Sequence, residues 1–351
     1  MVDIPNQIQK LPLPVITRMR IERFYIRSAK SIRRKLNQKI ENDSMFYPLV
    51  RNNRLYGNEA LLHEYSQNSA DLYAIIEHGL YFGNNQQKVG LKHEWELGCI
   101  LTGGVYRKEI ISRCFPDYYC EMIGPMIHYA KIDESYRETI KNFFHGTGKT
   151  LLFFPIHGNS FFSPEYDTEL TVQKIIEVAN SMDCKNIIIC AYHRQQDLFN
   201  KIVYQTGLTK RIFVTTNGDR YDQNFMRRQK TLIDFSDYTI SNSLGTHLGY
   251  CIFMGKPHIL LPQDFSYVGD KKAIDLDFGT SNRSENYRQD FETETKRFQE
   301  LFHAGQAEIT KEQYQVCDFY WGFSQIKTPE QISSIIDNSR EYARAFLKEV
   351  N

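Results

Sequence analysis

Five short, almost wholly apolar runs separated by amphipathic stretches fill residues 150 to 261, and no other feature constrains the fold as tightly. "TLLFFPI" (150–156) precedes a helical pattern at 166–182, "KNIIICAY" (185–192) one near 197–206, and "RIFVTT" (211–216) one at 223–235. "YTISN" (238–242) then leads into a helix at 244–254, followed by "PHILL" (257–261). A strand apolar on both faces has no side to offer water, so it lies inside a sheet covered by helices, and helical crossovers make such strands parallel. The reading is a doubly wound α/β domain over residues 149–325.

The first half has the same character in a looser form. "LYAIIEHG" (72–79), "GCILTGG" (98–104) and "YYCEMIGP" (118–125) read as strands running into turns, and "VYRKEIISRC" (105–114) reads as a helix. A second α/β domain is expected over 46–140. The stretch "TPEQISSIIDNSREYARAFLKEV" opens with Thr328 three residues before Gln331, a capping pattern, and predicts a helix over 326–351. The fold class is therefore α/β, with two Rossmann-like doubly wound domains facing a cleft. Ligands in such sheets bind beyond the carboxyl ends of the strands, so the chemistry is sought in the loops that follow them.

A chain of 351 residues suits two domains. With 43 basic and 42 acidic side chains there is no global field to attract nucleic acid. Seven cysteines without CxxC spacing, several within apolar runs, read as buried reduced thiols. The sequence shows no signal-peptide core and no apolar run near the roughly 18 residues that span a bilayer, so a cytoplasmic location is expected. Residues 15–40 carry nine Lys/Arg against Glu22 alone, and Ile21, Tyr25, Ala29, Ile32, Leu36 and Ile40 form one helical stripe. Segment 1–45 suits either peripheral contact with an anionic membrane, at about 1 kcal/mol per basic residue, or a helix packed on its own domain.

Gly148-Lys149-Thr150 has the ending of a phosphate-binding P-loop, but Phe143 stands where the first glycine is required. The order is also reversed, helix before and strand after, so the motif reads as a polar turn.

The richest loop is "SNSLGTHLGYCIFMGKP", 241–257. Ser241, Asn242 and Ser243 end a strand, and Gly245, Thr246 and His247 open a helix. Free N–H groups, hydroxyls and the positive end of the helix dipole make an anion site suited to a nucleotide phosphate. "LIDFSDYTISNSLGTHLGYCIFMGKPHIL" resembles the donor-binding region of GT-B glycosyltransferases of bacterial capsule and lipopolysaccharide synthesis, down to the Gly255-Lys256-Pro257 turn. The resemblance implies transfer of a sugar from a nucleotide-sugar donor to a growing surface polysaccharide or lipid-linked acceptor, with no cofactor and no metal. Nucleotide-sugar 2-epimerases and polysaccharide pyruvyl transferases share this architecture and form the alternative.

Four further loops are candidates. His157, Asn159 and Ser160 follow the first strand of the second domain and would face donor or acceptor. Glu77 and His78 end a strand of the first domain. Either could deprotonate an acceptor hydroxyl, and Gly79 lets the chain turn after His78. Arg194, beside His193 and Asp197, and Arg220, beside Asp219, Tyr221 and Asp222, could neutralise a leaving phosphate. Asp275-Leu276-Asp277 has the DxD form of a metal site but lies past the last sheet strand, and it is read as incidental.

Overall fold

The computed structural model describes residues 48–83, 97–146, 148–158, 161–271, 287–305 and 307–350, together with 274 and isolated positions between 13 and 24. Most of the basic segment 15–40 and the whole of Asn159, Ser160 and Asp275-Leu276-Asp277 lie outside the described residues.

The apolar runs of the second half become strands β4 (Lys149–Phe154), β6 (Cys184–Cys190), β7 (Ile212–Thr215), β8 (Tyr238–Ser241) and β9 (His258–Leu260). They pair in parallel in the order β7-β6-β4-β8-β9. Successive residues of a strand point to opposite faces, and the two faces bury different partners. Leu151, Phe153, Ile187 and Ile189 pack with Val172, Ile175 and Phe199 of the helices Thr168–Ser181 and Gln196–Thr206. Leu152, Phe154 and Ile188 join the other face, with Leu232, Ile233 and Leu248. The sheet is thus doubly wound, as the continuous apolar runs require. Gly148, with φ +86°, makes the turn between the helix Glu134–Phe144 and β4, so Lys149 begins a strand after a helix, the reverse of a P-loop.

The first half forms a smaller parallel sheet, β1 (Ile75–Ile76), β2 (Cys99–Thr102) and β3 (Tyr119–Met122), in that order. β1 is shorter than the apolar run 72–79 suggests because side chains take the place of a neighbouring strand. The Asn53 amide donates to the Ala74 carbonyl and accepts from Ile76 N–H, both at 2.9 Å, while Tyr73 N–H donates to Ser339 Oγ. The sequence also gave no sign of an antiparallel ribbon between β5 (Phe162–Glu165) and β10 (Ser266–Gly269), which joins segments about a hundred residues apart.

Numbering helices along the chain, α1 is Asn58–Ser66, α2 Val105–Cys114, α3 Glu134–Phe144, α4 Thr168–Ser181, α5 Gln196–Thr206, α6 Phe225–Phe235, α7 Thr246–Phe253, α8 Tyr287–Leu301, α9 Lys311–Trp321 and α10 Pro329–Val350. The expected capping box forms: Thr328 N–H donates to Gln331 Oε1, and Gln331 N–H to Thr328 Oγ1. From there α10 runs back onto the first sheet.

The two sheets share one apolar core. Leu101 and Ile123 from the first half and Leu152 and Leu248 from the second pack in the same cluster, together with Trp321. Glycines allow the closest approach. A Cβ on Gly249 of α7 would stand 2.1 Å from Trp321 Cδ2, and one on Gly104, after β2, 2.6 Å from Gly322 N.

Candidate functional site

β4 and β8 are adjacent at the centre of the large sheet, and the chain leaves them in opposite directions, toward β6 and toward β9. That reversal opens a crevice past their carboxyl ends, the usual ligand position in a doubly wound sheet. The loops that begin after Phe154 and Ser241 form its two lips.

The lips are tied together from beneath. Ile156 N–H donates to Asn242 Oδ1 at 2.6 Å, and Asn242 is buried. Ser241, fully buried, places its hydroxyl 3.0 Å from His258 Nε2 and donates to the Ser243 carbonyl at 3.0 Å. Thr239 Oγ1 holds the other ring nitrogen of His258 at 2.9 Å. Ser241 and Asn242, expected to bind phosphate, thus commit Ser241 Oγ and Asn242 Oδ1 to shaping the turn.

The turn then delivers α7. Gly245 is its extended N-cap, and no side chain caps the start. The first N–H groups of a helix have no partner within it, so this end presents donors and a positive dipole to the crevice. His247 stacks on Phe154 with ring centroids 4.8 Å apart, and its Nε2 is buried without a hydrogen-bond partner. Burial, reinforced by nearby His157, lowers its pKa to about 3, so the ring is neutral at physiological pH. A buried polar atom without a partner is costly, and a ligand oxygen on an Nε2–H tautomer would relieve it. Ser243 lies half-buried on the same turn.

His157 stands exposed at the opposite lip, with Nδ1 2.9 Å from the Gly158 carbonyl. Its ring stacks on Tyr192 at 5.2 Å, a neighbour for which the sequence offered only a place after a strand. His193 Nδ1 is buried without a partner, and its Nε2 lies 3.8 Å from Asp219 Oδ2. Arg194 is exposed on the turn into α5, and Asp197 in the first turn of that helix. The Arg220 guanidinium lies 5.2 Å from the Tyr221 ring, while Asp222 pairs with Arg228.

The facing wall comes from the first sheet. Glu77, expected as a possible base, is buried and fully engaged. Arg107 Nη2 donates to Oε1 at 2.7 Å, and Arg107 Nε (3.2 Å) and Thr102 Oγ1 (2.6 Å) donate to Oε2. Three donor atoms, two of them from the buried Arg107 guanidinium, thus hold the Glu77 carboxylate within the wall. Burial opposes the charge of Arg107, and Glu77 more than offsets it, raising the Arg107 pKa.

His78 is half-buried, with the Tyr81 hydroxyl 3.1 Å from Nδ1. Tyr56, which sequence reasoning missed, sits beside it at 6.1 Å in the left-handed region (φ +58°). Its N–H donates to the Arg220 carbonyl at 2.6 Å. The two walls also meet where Leu80 N–H donates to Thr246 Oγ1 at 3.0 Å. Behind that contact a cavity of about 30 Å³ touches Glu77, Arg107, Thr246 and Trp321, room for about two waters.

Among the described residues, no group of three or more His, Cys, Asp or Glu is placed to hold a metal ion. No helix among them is long and apolar enough to cross a membrane.

No protein-family model matches the chain, and none of the curated proteins compared does. Solved structures resemble it in outline. The Staphylococcus aureus MnaA–UDP structure is 10% identical over 83% of this chain and 80% of its own, with a TM-score of 0.41. The UDP-GlcNAc 2-epimerase of Neisseria meningitidis, bound to UDP-GlcNAc, is 12% identical over 83% and 80%, with a TM-score of 0.37. The pneumococcal O-GlcNAc transferase GtfA, with UDP and GlcNAc, is 11% identical over 82% of this chain, with a TM-score of 0.36, and the match spans 55% of GtfA. The fold rests on the strand order described above.

Proposed function

We propose that this protein is a nucleotide-sugar-dependent glycosyltransferase that extends a surface polysaccharide or a lipid-linked acceptor. The observation that carries the reading is the crevice between β4 and β8, where the uncapped start of α7 and the unpartnered Nε2 of His247 converge. Together they offer hydrogen bonds and a partial positive charge at one point, as a phosphate requires.

In this reading the donor phosphate rests on the N–H groups of Thr246 and His247 and on His247 Nε2–H. His157 and Tyr192 line the approach. The bond from the sugar's anomeric carbon to the phosphate oxygen breaks as the acceptor oxygen bonds to that carbon, and His78 takes the acceptor's proton. The charge left on the nucleotide is stabilised by the α7 dipole without metal. The basic segment 15–40 suits contact with anionic lipid at the cytoplasmic face, where a lipid-linked acceptor would be met.

The test is a thermal-shift series with CMP, UDP, GDP, ADP and phosphoenolpyruvate, since a ligand that binds only the folded state raises its melting temperature. One nucleotide should stabilise the protein, and His247→Ala should abolish the shift. No response to any nucleotide, or a response to phosphoenolpyruvate alone, would overturn the reading.

A further inference from the structure

We infer that the groove between β3 and α10 binds a neutral saccharide unit. The groove encloses about 220 Å³, lies on the first sheet's β3 side, and includes none of the crevice residues described above. It is smaller than the roughly 300–1,000 Å³ of pockets for larger ligands such as a whole nucleotide-sugar.

Its lining fixes the chemistry. Glu121 Oε1 lies 2.8 Å from Lys327 Nζ, and Oε2 accepts the Tyr119 hydroxyl at 2.9 Å. The charges cancel, so an anion or a cation finds no unbalanced partner. Tyr119 and Tyr342 stack nearly parallel, 13° apart with centroids at 4.0 Å, and are 37% and 36% exposed. A half-exposed aromatic pair offers apolar surface with phenol edges beside it. Asn338 gives one N–H to Ser334 Oγ at 3.1 Å and retains a second N–H and a carbonyl. Gln331 accepts Thr328 N–H and keeps its own NH₂. Apolar surface framed by groups that both donate and accept matches a sugar ring, whose C–H faces are apolar and whose rim carries hydroxyls. The inference stands apart from the reading of the crevice.

The test is saturation-transfer NMR on the full chain with glucose, galactose, N-acetylglucosamine and the β1,4-linked tetramers of glucose and N-acetylglucosamine. At least one of these sugars should receive saturation, and excess UDP should leave the signal intact. Ser334→Trp, which fills the groove from an exposed position, should weaken binding about tenfold or more. Tyr342→Ala should do the same, while Ser334→Trp keeps the test informative if loss of the stack unfolds α10. A stronger response to a tetramer than to its monomer would identify a chain end as the ligand, and an equal response a single sugar. No transfer from any of the five, or transfer that survives Ser334→Trp in folded protein, would overturn the inference.

Discussion

The hydroxyl of Thr246, the first residue of α7, accepts the backbone N–H of Leu80 at 3.0 Å, joining the start of the proposed phosphate-binding helix to the loop that carries His78. The same residue's carbonyl accepts Trp321 Nε1–H at 2.9 Å. The helix start is therefore held from two sides, by the facing loop and by α9.

Thr246→Ala removes the acceptor for Leu80 N–H and should cost about 1 kcal/mol of stability, whereas Thr246→Ser should retain most of it. Urea denaturation of the three proteins measures this directly. Equal midpoints for Ala and Ser would show that the contact contributes nothing.

Glu77→Gln leaves the buried Arg107 guanidinium without its counter-charge and should destabilise the fold by about 3–5 kcal/mol. His78→Gln, at a half-buried position, should leave the melting temperature nearly unchanged and lower turnover more than nucleotide affinity. Full activity in folded His78→Gln would exclude His78 as the base.

Acid should weaken the fold through His247 and His258. Burial holds the pKa of His247 at about 3 and that of His258 well below its usual 6.5, whereas the unfolded chain protonates both near 6.5. The contribution is therefore complete above pH 6.5 and is lost as pH falls below it, at about 1.4 kcal/mol per pH unit per histidine. Urea midpoints from pH 8 to 4.5 should be flat and then fall, with a shallower fall in His247→Gln. An unchanged slope in that variant would contradict the assignment.

Gly249→Ala forces a methyl group into the Trp321 ring and should destabilise by about 1–3 kcal/mol. Because Trp321 also holds Thr246, any nucleotide-dependent thermal shift should shrink with it. Intrinsic tryptophan fluorescence follows the displacement, and an unaltered spectrum with full stability would show that the interface has slack.

The large sheet was legible in the sequence because its strands are buried on both faces, and each apolar run, from Leu151–Phe154 to Ile259–Leu260, advertises that burial. The loops at 155–158 and 242–247 could be located for the same reason, as whatever follows such a run. The division of labour within them was not legible. Whether Ser241 and Asn242 meet a ligand or brace the turn depends on His258 and Ile156, which approach only through strand order. The pairing of Glu77 was hidden in the same way, because its partner Arg107 is 30 residues away in sequence. Tyr56 and Tyr192 carry no local signal, and their importance comes from what the fold sets beside them.

The return of α10 to the first sheet bears on the order in which the chain acquires structure. Tyr73 depends on Ser339 for its N–H partner, 266 residues later, and the Asn68 side-chain amide donates to Asp337, 269 residues later. Contacts so distant along the chain form slowly, since a long loop must close before they are gained. During synthesis the five-stranded sheet has all its strands by Leu260, whereas the three-stranded sheet, though made first, waits for α10 to cover it. Chaperones that shield exposed apolar surface would be needed longest at the three-stranded sheet.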